Sequence, residues 1–330
     1  MPERLKLWVL SDGRAGHEAQ ALGLAEALGR IRSAEIETKT VALKPWAAKL
    51  PAVVSHGLGG LPIGWPFAGL EDGGASLRWP WPDAVISAGR RAAPVAAALR
   101  KKHGITALQL LDPKIGAAAF DAVIVPSHDA LQGGNVYRSL GALNRIEHGR
   151  LAAESDAWGS TFGAFPSPRL GVLIGGPSGS AQFTDQDASR LCLALENLAD
   201  HHALLVTTSR RTPPALTETL RTALGDRAFV WEPSDDGPNP YPGLLGHVDA
   251  VLVTEDSVNM ASEAASTGLP VHVFPISGVA PKIAQFHEDL TAYGASRRFT
   301  GTLGSWEYPP LAEANRLAED LLRRGVLDAS

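Results

Sequence analysis

The chain has 330 residues, roughly twice a typical domain of about 150, so it can bury two sizeable cores and is no small stapled scaffold. Hydrophobic residues make up 45% and charged residues 20%, which excludes a disordered or low-complexity chain. A net charge of -5 does not favour nucleic acid or anionic lipid as a partner, although it leaves a local basic site open. The single cysteine, Cys192, excludes a disulfide within the chain and a cysteine metal cage, and it indicates a reducing compartment.

The beginning of the chain has no pattern typical of export. Residues 1–6 lead directly into a strand-like segment, without the apolar stretch and small-residue cleavage site of a signal peptide. No run approaches the roughly 18 apolar residues of a membrane span. We therefore expect a cytoplasmic protein, and a peripheral place at the inner face of a membrane stays open.

In the first half, short apolar runs alternate with segments of helical periodicity. This alternation is typical of βαβ units and predicts a parallel sheet covered on both faces. The predicted strands are Leu5–Leu10, Ile36–Leu43, Asp83–Ser87, Thr106–Leu111 and Ala122–Val125, and the predicted helices are Ala19–Arg32 and Ala93–Lys102. Periodicity then lapses over residues 152–168, where we expect an interdomain linker.

The second half repeats this rhythm, so the chain is expected to form two Rossmann-like α/β domains that face a cleft. An amphipathic helix over residues 311–324 follows them. The expected domains are residues 1–160 and 161–310, with a C-terminal helix in 311–330. The predicted strands are Leu170–Ile174, Ala203–Thr207, Ala228–Trp231, Ala250–Thr254 and Val271–Phe274, and the predicted helices are Asp185–Ala199, Pro214–Leu224 and Val258–Thr267.

The first strand leads into a glycine-containing turn with charged side chains. Glycines at a strand-to-helix turn let the backbone approach a ligand, and a helix N-terminus offers free N–H groups to anionic oxygen. The spacing matches neither GxGxxG nor a Walker loop. A tight turn capped by Asp12 explains the glycines but leaves Arg14 and His17 unexplained. The candidate residues are Asp12, Gly13, Arg14, Gly16 and His17.

A second glycine-rich turn follows the first strand of the second half. Gly175, Gly176 and Ser178 can contact a diphosphate there. The alternative is a flexible loop before a helix capped by Thr184.

Paired arginines follow two other strands: Arg90 and Arg91 in the first half, and Arg210 and Arg211, preceded by Ser209, in the second. Guanidinium groups suit phosphate or carboxylate, and both pairs lie on the side where open α/β sheets bind ligands. Solvated surface arginines or structural ion pairs are the alternative.

The segment 254–264 combines a helix cap with a carboxylate inside the helix. Asp256 or Ser257 can cap the helix, whose N-terminus would face a phosphate, and Gly268 is expected to end it. Glu263 can accept hydrogen bonds from ribose hydroxyls, although taken alone it fits a solvated helix residue better, and Ser257 taken alone fits a simple cap. Glu255 and Asn259 complete the candidate nucleotide-binding set.

Eight short segments stand out as motifs: 12–18, 81–83, 89–91, 110–113, 141–143, 173–178, 207–213 and 254–260. Together they resemble the mitochondrial-fission, elongated-mitochondria family over nearly the whole chain. The resemblance implies for plant members a role in mitochondrial division, in which they recruit a dynamin-related GTPase to the outer membrane. A nucleoside-diphosphate-sugar epimerase is rejected, because such an enzyme is expected to need bound nicotinamide and a Tyr/Lys pair, and the sequence has neither GxGxxG nor YxxxK.

The second half is also similar, more distantly, to GT-B glycosyltransferases such as the enzyme that adds N-acetylglucosamine to the peptidoglycan lipid precursor. This similarity implies a GT-B-like fold and a nucleoside-diphosphate sugar as donor. It makes Glu263 the ribose acceptor, places Ser178 and Ser257 near the diphosphate, and turns His17 toward the cleft. Asp12 and Arg14 depart from the small residues of that first loop.

Two functions remain open. One is a glycosyltransferase acting on a lipid-linked or cell-envelope acceptor without metal or cofactor, with His17, or less favourably Asp12, as general base. The other is a non-catalytic scaffold at a membrane surface. A metal hydrolase is disfavoured, because the adjacent side chains of His201 and His202 point in different directions.

Four of the eight tryptophans, Trp46, Trp65, Trp79 and Trp81, lie in one proline- and glycine-rich stretch. They can form a lip at a membrane interface, with charge from residues 100–102, or pack beneath an irregular loop.

Overall fold

The structure is a computed structural model that describes residues 4–58 and 64–328. The chain forms two compact units. The first comprises Met1–Arg145 and Ala312–Ser330, and the second comprises Ile146–Leu311. The last segment of the chain therefore returns to the unit in which the chain begins.

The first unit contains a parallel six-stranded sheet with helices, in the order β2-β1-β3-β4-β5-β6. The predicted strands are present, and the structure adds β6 and α2. The strands are β1 (Leu5–Ser11), β2 (Ala34–Thr40), β3 (Ala84–Ala88), β4 (Thr106–Leu110), β5 (Ala122–Pro126) and β6 (Val136–Ser139). The helices are α1 (Ala15–Ile31), α2 (Ala52–Leu58) and α3 (Gly89–His103), to which α10 (Glu313–Arg323) is added from the end of the chain.

The second unit contains another parallel six-stranded sheet, in the order β12-β11-β10-β7-β8-β9. Two parallel sheets with helices confirm the predicted α/β class. The strands are β7 (Arg169–Ile174), β8 (Ala203–Thr208), β9 (Ala228–Trp231), β10 (Ala250–Thr254), β11 (Val271–Phe274) and β12 (Ser296–Arg298). The helices are α4 (His148–Phe162), α5 (Asp185–Ala199), α6 (Pro214–Leu224), α7 (Tyr241–Leu245), α8 (Val258–Ala265) and α9 (Pro281–Ala292).

The strand register brings the predicted loops together within each unit. In the second unit, Ile174 pairs with Thr208, and Leu173 pairs with Val253. The loops after β7, β8 and β10 therefore leave the sheet side by side. In the first unit Leu10 pairs with Ser87, so the loops after β1 and β3 are neighbours in the same way.

The expected linker over residues 152–168 is wrong for its first eleven residues, because α4 extends to Phe162. This helix is poor in aliphatic residues and packs through aromatic rings instead. The Trp158 ring lies on Gly243 of α7, where an added Cβ would stand 2.3 Å from Trp158 Cδ1. Phe162 is fully buried and stacks with Trp158 at 5.5 Å between ring centroids. Aliphatic periodicity could not reveal such a helix.

Helix α10 packs on α1 in the first unit. Its residues Leu317, Ala318 and Leu321 are buried in the core cluster that also contains Leu24 and Leu28 of α1. Arg30 also donates to the Asn315 side chain at 2.6 Å. Apolar burial and a polar contact thus tie the end of the chain to its beginning.

The four clustered tryptophans do not form one exposed surface. Trp65 is 2% exposed and donates its indole N–H to Ser55, and the Trp81 ring lies against the buried Trp8. Of the two alternatives, internal packing therefore describes these two rings, whereas Trp46 (54%) and Trp79 (78%) are exposed. Among the described residues no helix is long and apolar enough to cross a membrane.

Candidate functional site

The loops after β7, β8 and β10 are joined at a buried carboxylate in the second unit. Asp256 accepts hydrogen bonds from the Gly176 N–H at 2.8 Å, the Thr254 hydroxyl at 2.7 Å and the Arg211 guanidinium at 2.9 Å. Thr254 also accepts from the Gly175 N–H at 2.8 Å. These donors offset the cost of burying a charged group. Asp256 therefore positions the loops, and we call these five residues the strand-end cluster.

The two glycines of this cluster are required by close packing. A Cβ on Gly175 would stand 2.0 Å from an Asp256 oxygen, and a Cβ on Gly176 would stand 2.2 Å from the Arg211 carbonyl oxygen. The sequence argument gave these glycines a role in letting a ligand approach. In the structure they let the carboxylate and a neighbouring loop approach, and their N–H groups are already engaged.

The two arginines after β8 differ in their surroundings. Arg211 donates to Asp256 and to the Gly176 carbonyl oxygen, and Ser209 accepts from the Arg211 N–H at 3.2 Å. Arg210 is exposed and makes no hydrogen bond or ion pair with any residue that the structure describes. Arg210 is therefore the cation of this loop that is free to meet an anion.

Helix α8 begins beside the strand-end cluster. Ser257 is its N-cap and accepts from the Met260 N–H, which confirms the predicted cap, and Asn259 lies in the first turn. Glu255 accepts from the Ile276 N–H at 3.1 Å and so fixes the loop after β11. The expected end at Gly268 is wrong, because α8 stops at Ala265. The first-turn N–H groups of a helix lack partners within the helix and attract anionic oxygen.

Glu263 lies in the second turn of α8 and is half-buried. Burial raises the pKa of Glu263 to about 7, although a hydrogen bond from the Tyr241 hydroxyl at 2.7 Å acts in the opposite direction. Burial and the nearby carboxylate raise the pKa of Tyr241 well above its ordinary value. In the described part of the chain, only Tyr241 bonds to the Glu263 carboxyl group, so Oε1 remains available. The sequence gave no sign of Tyr241, which lies 22 residues away.

Ser178 closes a small hairpin in the glycine-rich turn. Its backbone bridges to Ala181, and its hydroxyl accepts from the Ser180 N–H at 3.1 Å. Gly179 lies at the open tip, where an added Cβ would meet nothing within 4 Å. Thr184 then caps α5, as in the alternative interpretation of this loop, and it does so through a reciprocal capping box with Asp187 that the sequence analysis did not include.

In the first unit, the loop after β1 holds a carboxylate–imidazole pair. His17 Nδ1 lies 3.2 Å from both Asp12 oxygens, and its ring lies on Gly89, where a Cβ would stand 2.5 Å from His17 Cε1. Burial alone would raise the pKa of Asp12, but the hydrogen bond and charge of His17 and the Arg14 N–H lower it. His17 Nε2 makes no hydrogen bond with the described residues. An oriented imidazole with one open nitrogen suits a general base.

The remaining predicted residues of the first unit surround this pair. Gly13 has φ +78°, which glycine adopts without strain, and donates its N–H to Ser11. Helix α1 begins at Ala15, four residues earlier than predicted. Arg14 is therefore its N-cap residue, and Gly16 lies in its first turn. Gln109, which the sequence did not reveal, is fully buried and holds Ser87 and the Gly89 carbonyl oxygen.

Arg90 and Arg91 lie in the first unit, at the start of α3, whereas Arg210 and Arg211 lie in the second. The first pair lines a cavity together with Lys49 and Lys114. Among the described residues, no group of three His, Cys, Asp or Glu side chains is placed to hold a metal ion.

The sequence comparisons decide the family. The family model described as mitochondrial fission ELM1 matches residues 15–325. The mitochondrial fission protein ELM1 of Arabidopsis thaliana is 32% identical over 276 residues, which cover 73% of this chain. The chain belongs to the mitochondrial fission ELM1 family. It spans 64% of the length of that plant relative. An uncharacterised protein of Rickettsia prowazekii is 28% identical, with 96% of this chain and 97% of the relative covered.

Solved structures place this ELM1-family chain in the GT-B fold. A UDP-GlcNAc 2-epimerase from Methanocaldococcus jannaschii has a TM-score of 0.56 at 11% identity, with 97% and 100% of the two chains covered. Staphylococcus aureus MnaA, solved with UDP, has 0.53 at 15%, with 99% and 91% covered. Arabidopsis thaliana UGT89C1, solved with UDP-L-rhamnose, has 0.52 at 15%, with 99% and 93% covered. At these identities the likeness establishes the fold alone.

Proteins described as 2-epimerases thus share this fold with glycosyltransferases. The sequence argument against an epimerase used only the missing nicotinamide motifs. It does not separate this chain from an epimerase of the GT-B fold, so an assay of function has to include that reaction.

Proposed function

We propose that the second unit binds a nucleoside-diphosphate sugar beside the strand-end cluster, and that the protein is a GT-B-type glycosyltransferase. The observation that carries this proposal is the arrangement on α8. Its first turn presents N–H groups, and Glu263 offers an available carboxyl oxygen five residues farther on. At 1.5 Å per residue this is roughly 7–8 Å, a separation comparable to that between a nucleotide's diphosphate and its ribose hydroxyls.

Each group has a distinct role in this proposal. The first-turn N–H groups of α8 and the free guanidinium of Arg210 face the diphosphate, whose charge grows as it leaves the sugar. Glu263, as a carboxylate, accepts from the ribose hydroxyls. Asp256 and Arg211 hold the loops in place and contact no ligand directly. Preorganised donors of this kind stabilise a leaving diphosphate without a metal ion.

The acceptor is proposed to carry a hydroxyl group and to be lipid-linked or part of the cell envelope. His17 Nε2 takes the proton of that hydroxyl, the oxygen bonds to the anomeric carbon, and the nucleoside diphosphate leaves. Asp12 orients the imidazole and stabilises its protonated form. A cytoplasmic protein placed peripherally at the inner face of a membrane would meet such an acceptor.

Calorimetric titration of the full chain with UDP, GDP, ADP and CDP tests the donor site. We expect saturable binding of at least one of them, weakened about tenfold or more by Glu263→Gln. Glu319→Gln, on the exposed face of α10, is the matched control and leaves the affinity unchanged. The absence of binding by every diphosphate would overturn the proposal. If the protein instead converted UDP-GlcNAc to its 2-epimer without an acceptor, its activity would be epimerisation and not glycosyl transfer.

The second candidate is a non-catalytic scaffold at a membrane surface, and the family favours it, because the plant relative is named as a mitochondrial fission protein. Separate Glu263→Gln and His17→Ala replacements in the producing organism distinguish the two. Glycosyl transfer predicts loss of the cellular phenotype with either replacement. A scaffold predicts that neither has an effect, while replacements of exposed residues such as Trp79 do.

A further inference from the structure

A cavity of about 290 Å³ lies in the first unit, and part of its wall, at Arg90, directly follows Gly89, on which the His17 ring lies. One side is formed by the 3-10 turn Ala47–Lys49 and by α2, and the other by the start of α3. Its charged lining residues are Lys49, Arg90, Arg91 and Lys114, and no acidic residue lines it in the part of the chain that the structure describes. We call it the basic cavity.

Three of these four cations have no partner among the described residues. Lys114 pairs with Asp112, but Lys49, Arg90 and Arg91 make no hydrogen bond or ion pair through their side chains. Arg90 and Arg91 also occupy the first turn of α3, which contains no acidic residue. Cations are unfavourable there, because a helix N-terminus is itself positive. A bound anion would relieve this repulsion.

Exposed apolar side chains adjoin the basic cavity. Val53 lines it and is 62% exposed, and its neighbour Val54 is 45% exposed. Trp46 precedes the 3-10 turn, and its ring centroid lies 5.5 Å from that of the buried Trp65. The exposed Trp46 ring therefore packs against a buried ring. Burying such side chains in an apolar medium is favourable, and tryptophan prefers the membrane interface.

We propose that the basic cavity binds the phosphate headgroup of an anionic lipid, with Val53, Val54 and Trp46 inserted into the surrounding membrane surface. Charge complementarity selects the phosphate, and the adjoining apolar side chains select a lipid over a soluble phosphate compound. The site deepens the peripheral placement proposed above and rests on that part of the function alone. Because the nucleotide titration contains no vesicles, failure of either test leaves the other intact.

Sedimentation of the full chain with vesicles tests the proposal. Vesicles of phosphatidylcholine with 30% phosphatidic acid are compared with phosphatidylcholine alone. We expect binding to the anionic vesicles only, and a loss on the order of 100-fold for Lys49→Gln/Arg90→Gln/Arg91→Gln, since each cation near an anionic surface contributes roughly a factor of five. The control Arg4→Gln/Lys6→Gln/Lys282→Gln removes the same charge from exposed cations elsewhere and should lose less than fivefold.

The apolar contribution is tested by Val53→Ser/Val54→Ser, with Leu193→Ser, an equally exposed position in the second unit, as control. We expect the valine variant to bind the anionic vesicles at least fivefold more weakly and the control to bind normally. Thermal unfolding checks that each variant is folded. Equal losses of vesicle binding in the two charge variants would mean that only the net charge of the protein matters, and this would overturn the proposed site. Unchanged binding of the valine variant would overturn the lipid as ligand.

Discussion

Glu263 holds a carboxyl group where water reaches it poorly, and this determines when it can accept hydrogen bonds from a ribose. With a pKa of about 7, it is largely protonated below neutral pH and is a carboxylate above it. The Tyr241 hydroxyl favours the carboxylate, whereas burial opposes it. Nucleotide recognition should therefore depend on pH near neutrality.

We predict that nucleoside-diphosphate affinity of the wild-type chain, relative to Glu263→Gln, rises with pH from about 6 to 8 and then levels off. The ratio cancels the titration of the ligand itself, which both proteins experience. Tyr241→Phe should move the midpoint to higher pH, because it removes a donor that stabilises the carboxylate. Calorimetry at each pH measures the ratio. A ratio independent of pH would show that Glu263 does not contact the ligand.

The same group links folding to pH. Since the folded pKa of Glu263 lies above that of an unfolded glutamate, the folded state binds more protons between about pH 4.5 and 7. The stability that this group contributes is present below that window and is lost as the pH rises through it. Glu263→Gln removes this contribution to the pH dependence.

A substitution at Gly175 tests the packing of the strand-end cluster without the need for a ligand. Gly175→Ala should lower the free energy of unfolding by about 2 kcal/mol or more, because the methyl group would enter the space of the buried Asp256 carboxylate. Gly179→Ala, four residues on and in open space, should change it by less than about 0.5 kcal/mol. Chemical denaturation measures both. Similar effects at the two glycines would mean that the carboxylate does not occupy this place.

At the scale of elements, α10 returns from the second unit and completes the core of the first. Leu321 is fully buried there, together with Leu317 and Ala318. We predict that Leu321→Ala destabilises the first unit by about 2–5 kcal/mol, the usual cost of a leucine-sized core cavity. Glu319→Ala on the exposed face is the control.

Hydrogen exchange provides the readout by element. Leu321→Ala should speed exchange in β1 and α1 and leave α5 and β8 at wild-type rates. Faster exchange in α5 and β8 instead would contradict the assignment of α10 to the first unit.

Elements with strong local signals could be predicted from the sequence. Helix α5 begins after the capping residue Thr184, α6 begins at Pro214, and both match their predicted bounds. Helix α4 could not be predicted, because its buried contacts are made by Trp158 and Phe162 and not by an aliphatic stripe. A local sequence pattern depends only on residues that are close together in the chain. The packing of α4 depends on Gly243 of α7, which is distant in the sequence.

The candidate site likewise contains residues that could be predicted from the sequence and residues that could not. Arg210, Ser257 and Glu263 follow strands or lie on a helix whose position the sequence indicates. Tyr241 and Gln109 have no local signal, because their roles come from contacts between helices or across the sheet. The glycines at 175 and 176 were found, but the groups that require them lie far away in the sequence: the Asp256 carboxylate for Gly175 and the Arg211 carbonyl oxygen for Gly176.

At the scale of the whole molecule, the two similar sheets carry different chemistry at their strand ends. The first unit holds the Asp12–His17 pair and the basic cavity, and the second holds the strand-end cluster and Glu263. In the proposed function, the nucleotide binds to the second unit, and proton transfer and membrane contact belong to the first. The proposed function therefore predicts that a bound nucleoside diphosphate slows hydrogen exchange in a specific set of segments of the second unit.

Hydrogen exchange of the full chain with and without a saturating nucleoside diphosphate measures this most directly. We predict slower exchange in three segments, residues 175–180, 209–212 and 254–263, with α10 unchanged as the internal control. Protection of all three would support nucleotide binding beside the strand-end cluster. Exchange in these segments that is unaffected by the nucleotide would contradict it.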